Sequence, residues 1–378
     1  MTQEPGASSA SPSASPSDRM ARIIDAALAR AGGWLPFDQF MALALYAPGA
    51  GYYAHGSRKF GHMPASGSDF VTAPELTPLF GRTVAAQVGE ALAKTGTHEV
   101  WEFGAGSGAL AAQLLESLAS MGQAVQRYTI VDLSGSLRAR QQEALAAWGD
   151  KVRWADQLPE RFEGVVVGNE VLDAMPVKLL VRKDGRWHER GVYRTPEGPL
   201  AWIDWPTTLR PPVEVESDHD YLTEIHPQAR AWIGTLAERL GRGAVFLFDY
   251  GFPEAEYYHP QRHMGTVMCH QGHKADSDPL GAVGDKDITA HVDFTGIALA
   301  GQDAGLHVLG YTSQARFLIN AGLLSNMEQA APAQRALAAH LIHEHEMGEL
   351  FKVIGFAAAG SAPWDALGFR EGDRSHTL

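Results

Sequence analysis

The stretch Glu99-Val100-Trp101-Glu102-Phe103-Gly104-Ala105-Gly106-Ser107-Gly108-Ala109 decides how this chain is read. Residues 99–103 read as a strand, and residues 109–118 carry Leu110, Leu114 and Leu118 on one face of a helix. The glycines between them permit a tight turn and let backbone N–H groups approach a ligand at the helix N-terminus. The string also fits Gly104-x-Gly106-x-x-Ala109, a loose form of the dinucleotide fingerprint. Locally, a plain turn, a nicotinamide cofactor and another nucleoside ligand all remain open.

Working outward, residues 128–132 read as a second strand ending in Asp132, a carboxylate placed to accept from both hydroxyls of a ribose. A helix near 137–148 and a short strand at 152–154 follow, with Asp156 just beyond. The valine-rich run 164–168 reads as a strand buried on both faces. Strands separated by helices imply βαβ units and a parallel sheet, hence an α/β fold. The alternation is interrupted at 177–225, where strands at 177–182 and 186–193 flank the turn signal Lys183-Asp184-Gly185 and predict an antiparallel insertion. It resumes at His226 with Pro227 near the first helical position and Gly241 as the stop, then a strand at 244–248 ending in Asp249-Tyr250-Gly251. A second insertion, 252–293, is rich in His, Gly and Asp, and strands at 306–311 and 350–357 close the pattern.

Residues 1–17 are almost all Ser, Ala, Pro and Gly, which predicts a disordered tail. Order is expected from Asp18, as N-cap of a helix ended by Gly32-Gly33. The region 18–97 is then helical, with a Gly-rich loop at 48–70 that reads as a binding segment or a surface loop. The core is expected over 98–176 and 226–358, and 359–378 reads as a tail.

The 378 residues, 45% hydrophobic and 20% charged, suffice for a large core without disulfides. Cys269 stands alone, which excludes an internal disulfide and a multi-Cys zinc site. A net charge of −13 argues against a nucleic-acid partner, and no apolar run approaches the ~20 residues of a membrane span. With no apolar leader segment, a cytoplasmic location is expected, or the mitochondrial matrix in a eukaryote. His259, His263, His270, His273 and His291 cluster beside Cys269, but their spacing matches no standard ligand motif and no metal is assigned.

After the fourth core strand comes Asn169-Glu170-Val171-Leu172-Asp173-Ala174-Met175-Pro176. In a helix, Glu170 and Asp173 would share one face. Two carboxylates suit a guanidinium, which presents a rigid fork of donors. The same residues also read as a helix cap by Asn169 with solvated acids. Upstream, Thr72-x-x-Glu75 with Pro74 reads as a capping box.

Taken together these strings resemble the MidA-like family of class I S-adenosylmethionine (SAM)-dependent methyltransferases, which includes a mitochondrial protein arginine methyltransferase. Glu102 before a G-x-G-x-G loop is similar to motif I of that class. The resemblance continues in Ala50-Gly51-Tyr52-Tyr53, Asp69-Phe70-Val71-Thr72-Ala73-Pro74-Glu75 with Phe80-Gly81, residues 169–177, Asp249-Tyr250-Gly251, Gly265-Thr266-Val267, residues 287–294 and residues 347–353. It implies a Rossmann-like sheet of seven strands, the last antiparallel, with SAM as cofactor. It implies cofactor contacts from Glu102, Gly104, Gly106, Gly108, Asp132, Asp156 (at the adenine amino group), Thr72 and Glu75. Asn169, Glu170 and Asp173 become the catalytic candidates, with a protein arginine side chain as acceptor. Val171-Leu172 stands where the family usually carries an aromatic pair, a departure that bears on the acceptor pocket. Two alternatives stay open: an NAD(P)-dependent oxidoreductase, and an assembly factor that keeps the fold and acts by partner binding.

Overall fold

The computed structural model describes residues 15–54, 71–123, 125–132, 135–215 and 219–378, without the side chains of Gly135 and Ser136. Most of the expected N-terminal tail and of the Gly-rich loop, with Asp69 and Phe70, lies outside the described residues.

Seven strands build the central sheet: β1 (Glu99–Phe103), β2 (Arg127–Val131), β3 (Val152–Ala155), β4 (Phe162–Asn169), β5 (Leu240–Phe252), β6 (His307–Ser313) and β7 (Phe351–Ala357). Their spatial order is β3-β2-β1-β4-β5-β7-β6. Pairing is parallel from β3 to β5, and β7 runs antiparallel to both β5 and β6. A two-residue strand, Val292–Asp293, adds parallel to the end of β5.

The valines of β4 show why this sheet forms. Val165 and Val167 point into a cluster with Val84, Val88 and Leu114 from the helices Pro78–Thr95 and Ala109–Ser120. Val166 points the other way, into a cluster with Ile233, Leu236 and Ile297 from the helices Pro227–Arg239 and Phe294–Asp303. Side chains alternate across a strand, so one apolar run feeds two cores.

Both insertions are antiparallel sheets. Asp184 and Gly185, with φ of 49° and 71°, form the two-residue turn between Lys178–Lys183 and Arg186–Arg194. Leu200–Pro206, Tyr221–Ile225 and the short strand Leu35–Pro36 complete that sheet. The N-terminal region is therefore not purely helical: Phe37, Phe40 and Leu45 share one core with Val177, Leu179 and Val192 of the insertion. In the second insertion, Met268–Gln271 pairs with Lys274–Asp276 and Asp287–Thr289.

Three expectations are corrected. The first helix starts at Pro16 and is capped by Ser15, whose hydroxyl accepts from Asp18 N, so Asp18 lies inside the first turn. The helix before β5 ends at Arg239, and Gly241 belongs to a bulge at the start of the strand. Residues 359–378 are packed rather than a tail. Phe369 is buried against Phe317, in a notch where a Cβ on Gly310 or Gly355 would meet its ring at 2.2 or 2.6 Å. Gly368 N also donates to Gln87 Oε1 at 2.7 Å, and Arg370 pairs with Glu90 at 3.0 Å. No helix among the described residues is long and apolar enough to cross a membrane.

Candidate active site

The carboxyl ends of β1, β2, β4 and β5 open onto a cavity of about 1110 Å³, the place where open α/β sheets bind ligands. The glycine loop forms one wall. Gly104, Gly106 and Gly108 have φ of 64°, 53° and 88°, a region that side chains with a Cβ enter only with strain. Gly104 to Ser107 face the cavity, whereas Gly108 caps the helix behind it. A Cβ on Gly108 would make ordinary contact with Gln141 Cα at 3.4 Å, so its φ of 88° rather than crowding calls for glycine.

Glu102 ends buried at the cavity wall, accepting from the Tyr128 hydroxyl at 2.7 Å. Burial pushes its carboxyl up to about 8 despite that hydrogen bond. Asp132 lines the cavity beyond β2 and accepts from Gln141 Nε2 at 2.8 Å. Sequence reasoning missed Gln141, which sits fully buried in the helix Gly135–Ala144. Asp156 points the other way: its side chain is 81% exposed, pairs with Arg138 and does not line the cavity. An acid just past a strand end turns outward as readily as inward, and here the Arg138 guanidinium holds it outside.

Thr72 and Glu75 do line the cavity, but not as a capping box. The helix Ala73–Leu76 has no side-chain cap, and Glu75 accepts from the Ser107 hydroxyl of the glycine loop. The working cap is Thr77, which accepts from Leu79 N at the start of the next helix.

Asn169, Glu170 and Asp173 come together where β4 ends. The segment is a tight turn, not a helix, and Glu170 adopts φ 54°, a left-handed conformation that costs a non-glycine residue free energy. Asp249 holds the turn in place. Its Oδ2 accepts from the amides of Val171, Leu172 and Asp173 at 3.1, 2.9 and 3.2 Å, and its Oδ1 from Tyr250 N at 2.9 Å. Val171 packs so that its Cγ2 would lie 3.1 Å from a Cβ on Gly104.

Glu170 accepts from Asn169 Nδ2 at 2.9 Å and from the amide of Ala73. Burial and then the Asp173 charge push its carboxyl up to about 8. Burial likewise raises Asp173, against a hydrogen bond from Tyr250. Asn169 Oδ1 and Asp173 Oδ1 are buried with no hydrogen-bond partner among the described residues. Buried acceptors of this kind call for a hydrogen-bond donor beyond the described residues.

The facing wall comes from the N-terminal region and the second insertion. Tyr53 donates to both oxygens of Asp287 at 2.9 and 3.0 Å, and Tyr46 donates to Ala174 O at 2.8 Å. Glu224, also missed from sequence, accepts from Thr266 N at 2.7 Å and Val267 N at 3.2 Å, fixing a cavity-lining loop. Of the clustered histidines only His270 and His291 line the cavity, and burial pushes His291 down to about 4, leaving it neutral at pH 7. Among the described residues no group of three or more His, Cys, Asp or Glu could hold a metal ion.

The cavity thus offers backbone amides in a glycine turn, a carboxylate at the end of β2, and orphaned acceptors at the end of β4. This donor and acceptor set fits an adenosine-based sulfonium cofactor. Residues 80–312 match a family described as "Putative S-adenosyl-L-methionine-dependent methyltransferase". A methyl transferase candidate from Burkholderia thailandensis, bound to S-adenosyl-homocysteine, superimposes with a TM-score of 0.91 at 50% identity, over 96% of this chain and 97% of that one. The mitochondrial protein arginine methyltransferase NDUFAF7 homolog of Caenorhabditis elegans is 27% identical over 326 residues, 78% of this chain and 74% of the relative. Its counterpart from Danio rerio is 27% identical over 365 residues, 85% and 83% of the two chains. The glycine turn alone would serve either cofactor, and these matches decide for SAM over a nicotinamide. The chain belongs to this family of SAM-dependent methyltransferases, with SAM as its cofactor.

Proposed function

We propose that the acceptor is a guanidinium nitrogen of an arginine in a protein substrate. One observation carries the reading: half-buried Glu170 and buried Asp173, two carboxyls raised by desolvation, face the same cavity as the glycine loop. A desolvated pair of acids without a cation is costly, and a guanidinium answers both with a matched fork of donors. The relatives from Caenorhabditis elegans and Danio rerio, named as protein arginine methyltransferases, support it.

When bound, SAM supplies an electrophilic methyl group on a positively charged sulfur. The chain's own work is positioning and charge control. The amides of the Gly104–Ser107 turn and the Asp132 carboxylate hold the nucleoside, with Thr72 and Glu75 closing the loop's outer side. Glu102, mostly protonated at neutral pH, adds little negative charge beside them. Glu170 and Asp173 hold the guanidinium so that one nitrogen faces the methyl group. The cofactor would give up its methyl group to that nitrogen and keep the S–C electron pair on sulfur, so the chain need only hold both reactants and take a proton. Burial alone would keep Glu170 protonated like Glu102, but the bound guanidinium's charge favours its ionised form, and that carboxylate takes the nitrogen's surplus proton. Asn169 fixes the Glu170 carboxylate, and Asp249 fixes the turn that carries both acids.

Glu170→Gln and Asp173→Asn should each lower turnover roughly tenfold to a hundredfold, the cost of losing a charged hydrogen bond in the transition state. SAM affinity by calorimetry should stay within about threefold of wild type. Wild-type turnover in both variants would remove the acids from the chemistry.

A further inference from the structure

We propose that Gln141 is a positioning residue of the cofactor site, its side-chain amide locking the glycine turn and Asp132 into one unit. The inference rests on the reading that this turn and Asp132 hold the nucleoside.

Gln141 Nε2 donates to Gly106 O at 2.9 Å and to Asp132 Oδ2 at 2.8 Å, while its Oε1 accepts from Trp154 Nε1 at 2.9 Å. The nitrogen faces only acceptors, and the oxygen faces an indole that can only donate, so chemistry forces the amide's orientation. All of this happens with Gln141 fully buried, where an unmade hydrogen bond is expensive. Strand pairing cannot do the same work. The last paired residues of β1 and β2 are Phe103 and Val131, and both Gly106 and Asp132 lie beyond them. The carboxylate that meets the ribose and the turn that meets the rest of the cofactor are thereby set before binding, which spares affinity the cost of ordering them.

Gln141→Glu tests this with almost no change of shape. The substitution puts an oxygen where the shared donor was, opposite the Gly106 carbonyl and Asp132. An ionised carboxyl there repels both, whereas a protonated one regains a donor. Its pKa starts near ~4.3 and is raised by Asp132. The charged groups to weigh are Asp132, which it touches, Glu102 on β1, which senses Asp132, and Arg138 (paired to Asp156), Arg140 and Glu143 on its own helix. Wild type titrated with SAM at each pH removes their contribution from the comparison.

Relative to wild type, Gln141→Glu should bind SAM roughly tenfold to a hundredfold more weakly at pH 8 and recover to within about threefold at pH 5.5. Gln141→Met, similar in volume but without donors or acceptors, should bind about tenfold more weakly at both pH values. Melting temperatures at both pH values accompany the titrations, because a buried carboxyl that unfolds the chain at pH 8 would mimic the recovery, and binding is compared only where the variant is folded. Asp132→Ala separates the two levels of the argument. Wild-type affinity in that variant overturns the nucleoside reading itself. Weakened binding by Asp132→Ala, with wild-type affinity of Gln141→Met or a flat pH ratio for Gln141→Glu, overturns the role of Gln141 alone.

Discussion

Glu170 sits at φ 54° in a chain that had glycine available for that conformation, and this choice can be measured. At an ordinary position Gly is less stable than Ala by roughly 0.5–1 kcal/mol, because it loses more backbone freedom on folding. In the left-handed region the order reverses, since a Cβ there costs roughly 1–2 kcal/mol. Glu170→Gly and Glu170→Ala both delete the carboxylate and its hydrogen bonds to Asn169 and Ala73, so those losses cancel between them. The net expectation is that Glu170→Gly is the more stable by about 1 kcal/mol, a factor of about five in the folding constant. Urea unfolding followed by tryptophan fluorescence, with equal slopes for the two variants, reads this directly. Both should lose turnover alike while SAM binding persists. An alanine variant as stable as the glycine variant would refute the strain argument, and full turnover in the glycine variant would remove the Glu170 carboxylate from the chemistry.

Two further outcomes follow from the buried groups. The Glu102 carboxyl rises from 4.5 to about 8 on folding, so the native state holds its proton over that window and the unfolded state does not. Its contribution to stability is full below about pH 4.5 and is lost as pH rises toward 8, a change of order a few kcal/mol. Glu102→Gln, read by thermal melting across that range, should flatten the profile, and an unchanged slope would contradict the assignment. Phe369→Ala should cost roughly 3–5 kcal/mol by emptying the notch between Gly310 and Gly355, whereas a loss under about 1 kcal/mol in chemical denaturation would mean that the C-terminal segment is not anchored there.

Much of the sheet was legible because its signals are local. The run at Val165 to Val167, the glycine turn and the Asp184-Gly185 hairpin each declare a conformation from adjacent residues. The carboxylate pair was legible as residues but not as geometry: Glu170 and Asp173 looked like a helix face, and only Asp249, far along the chain, bends them into a turn. Gln141 was invisible because its three partners lie on three separate segments, each unremarkable by itself. Thr72-x-x-Glu75 misled because a capping box and a Glu reaching across to Ser107 share one local pattern. The C-terminal segment misled for a similar reason, since few of its residues are apolar and the notch that receives Phe369 is cut by glycines on other strands.

The central claim is that the cavity delivers a methyl group to an arginine, and the product tests it most directly. The purified chain should be incubated with tritium-labelled SAM and a proteome prepared from cells lacking it, and the labelled proteins hydrolysed to amino acids. The account predicts label in methylated arginine, abolished by Glu170→Gln. Label confined to methylated lysine, or to acceptors other than protein, would contradict it.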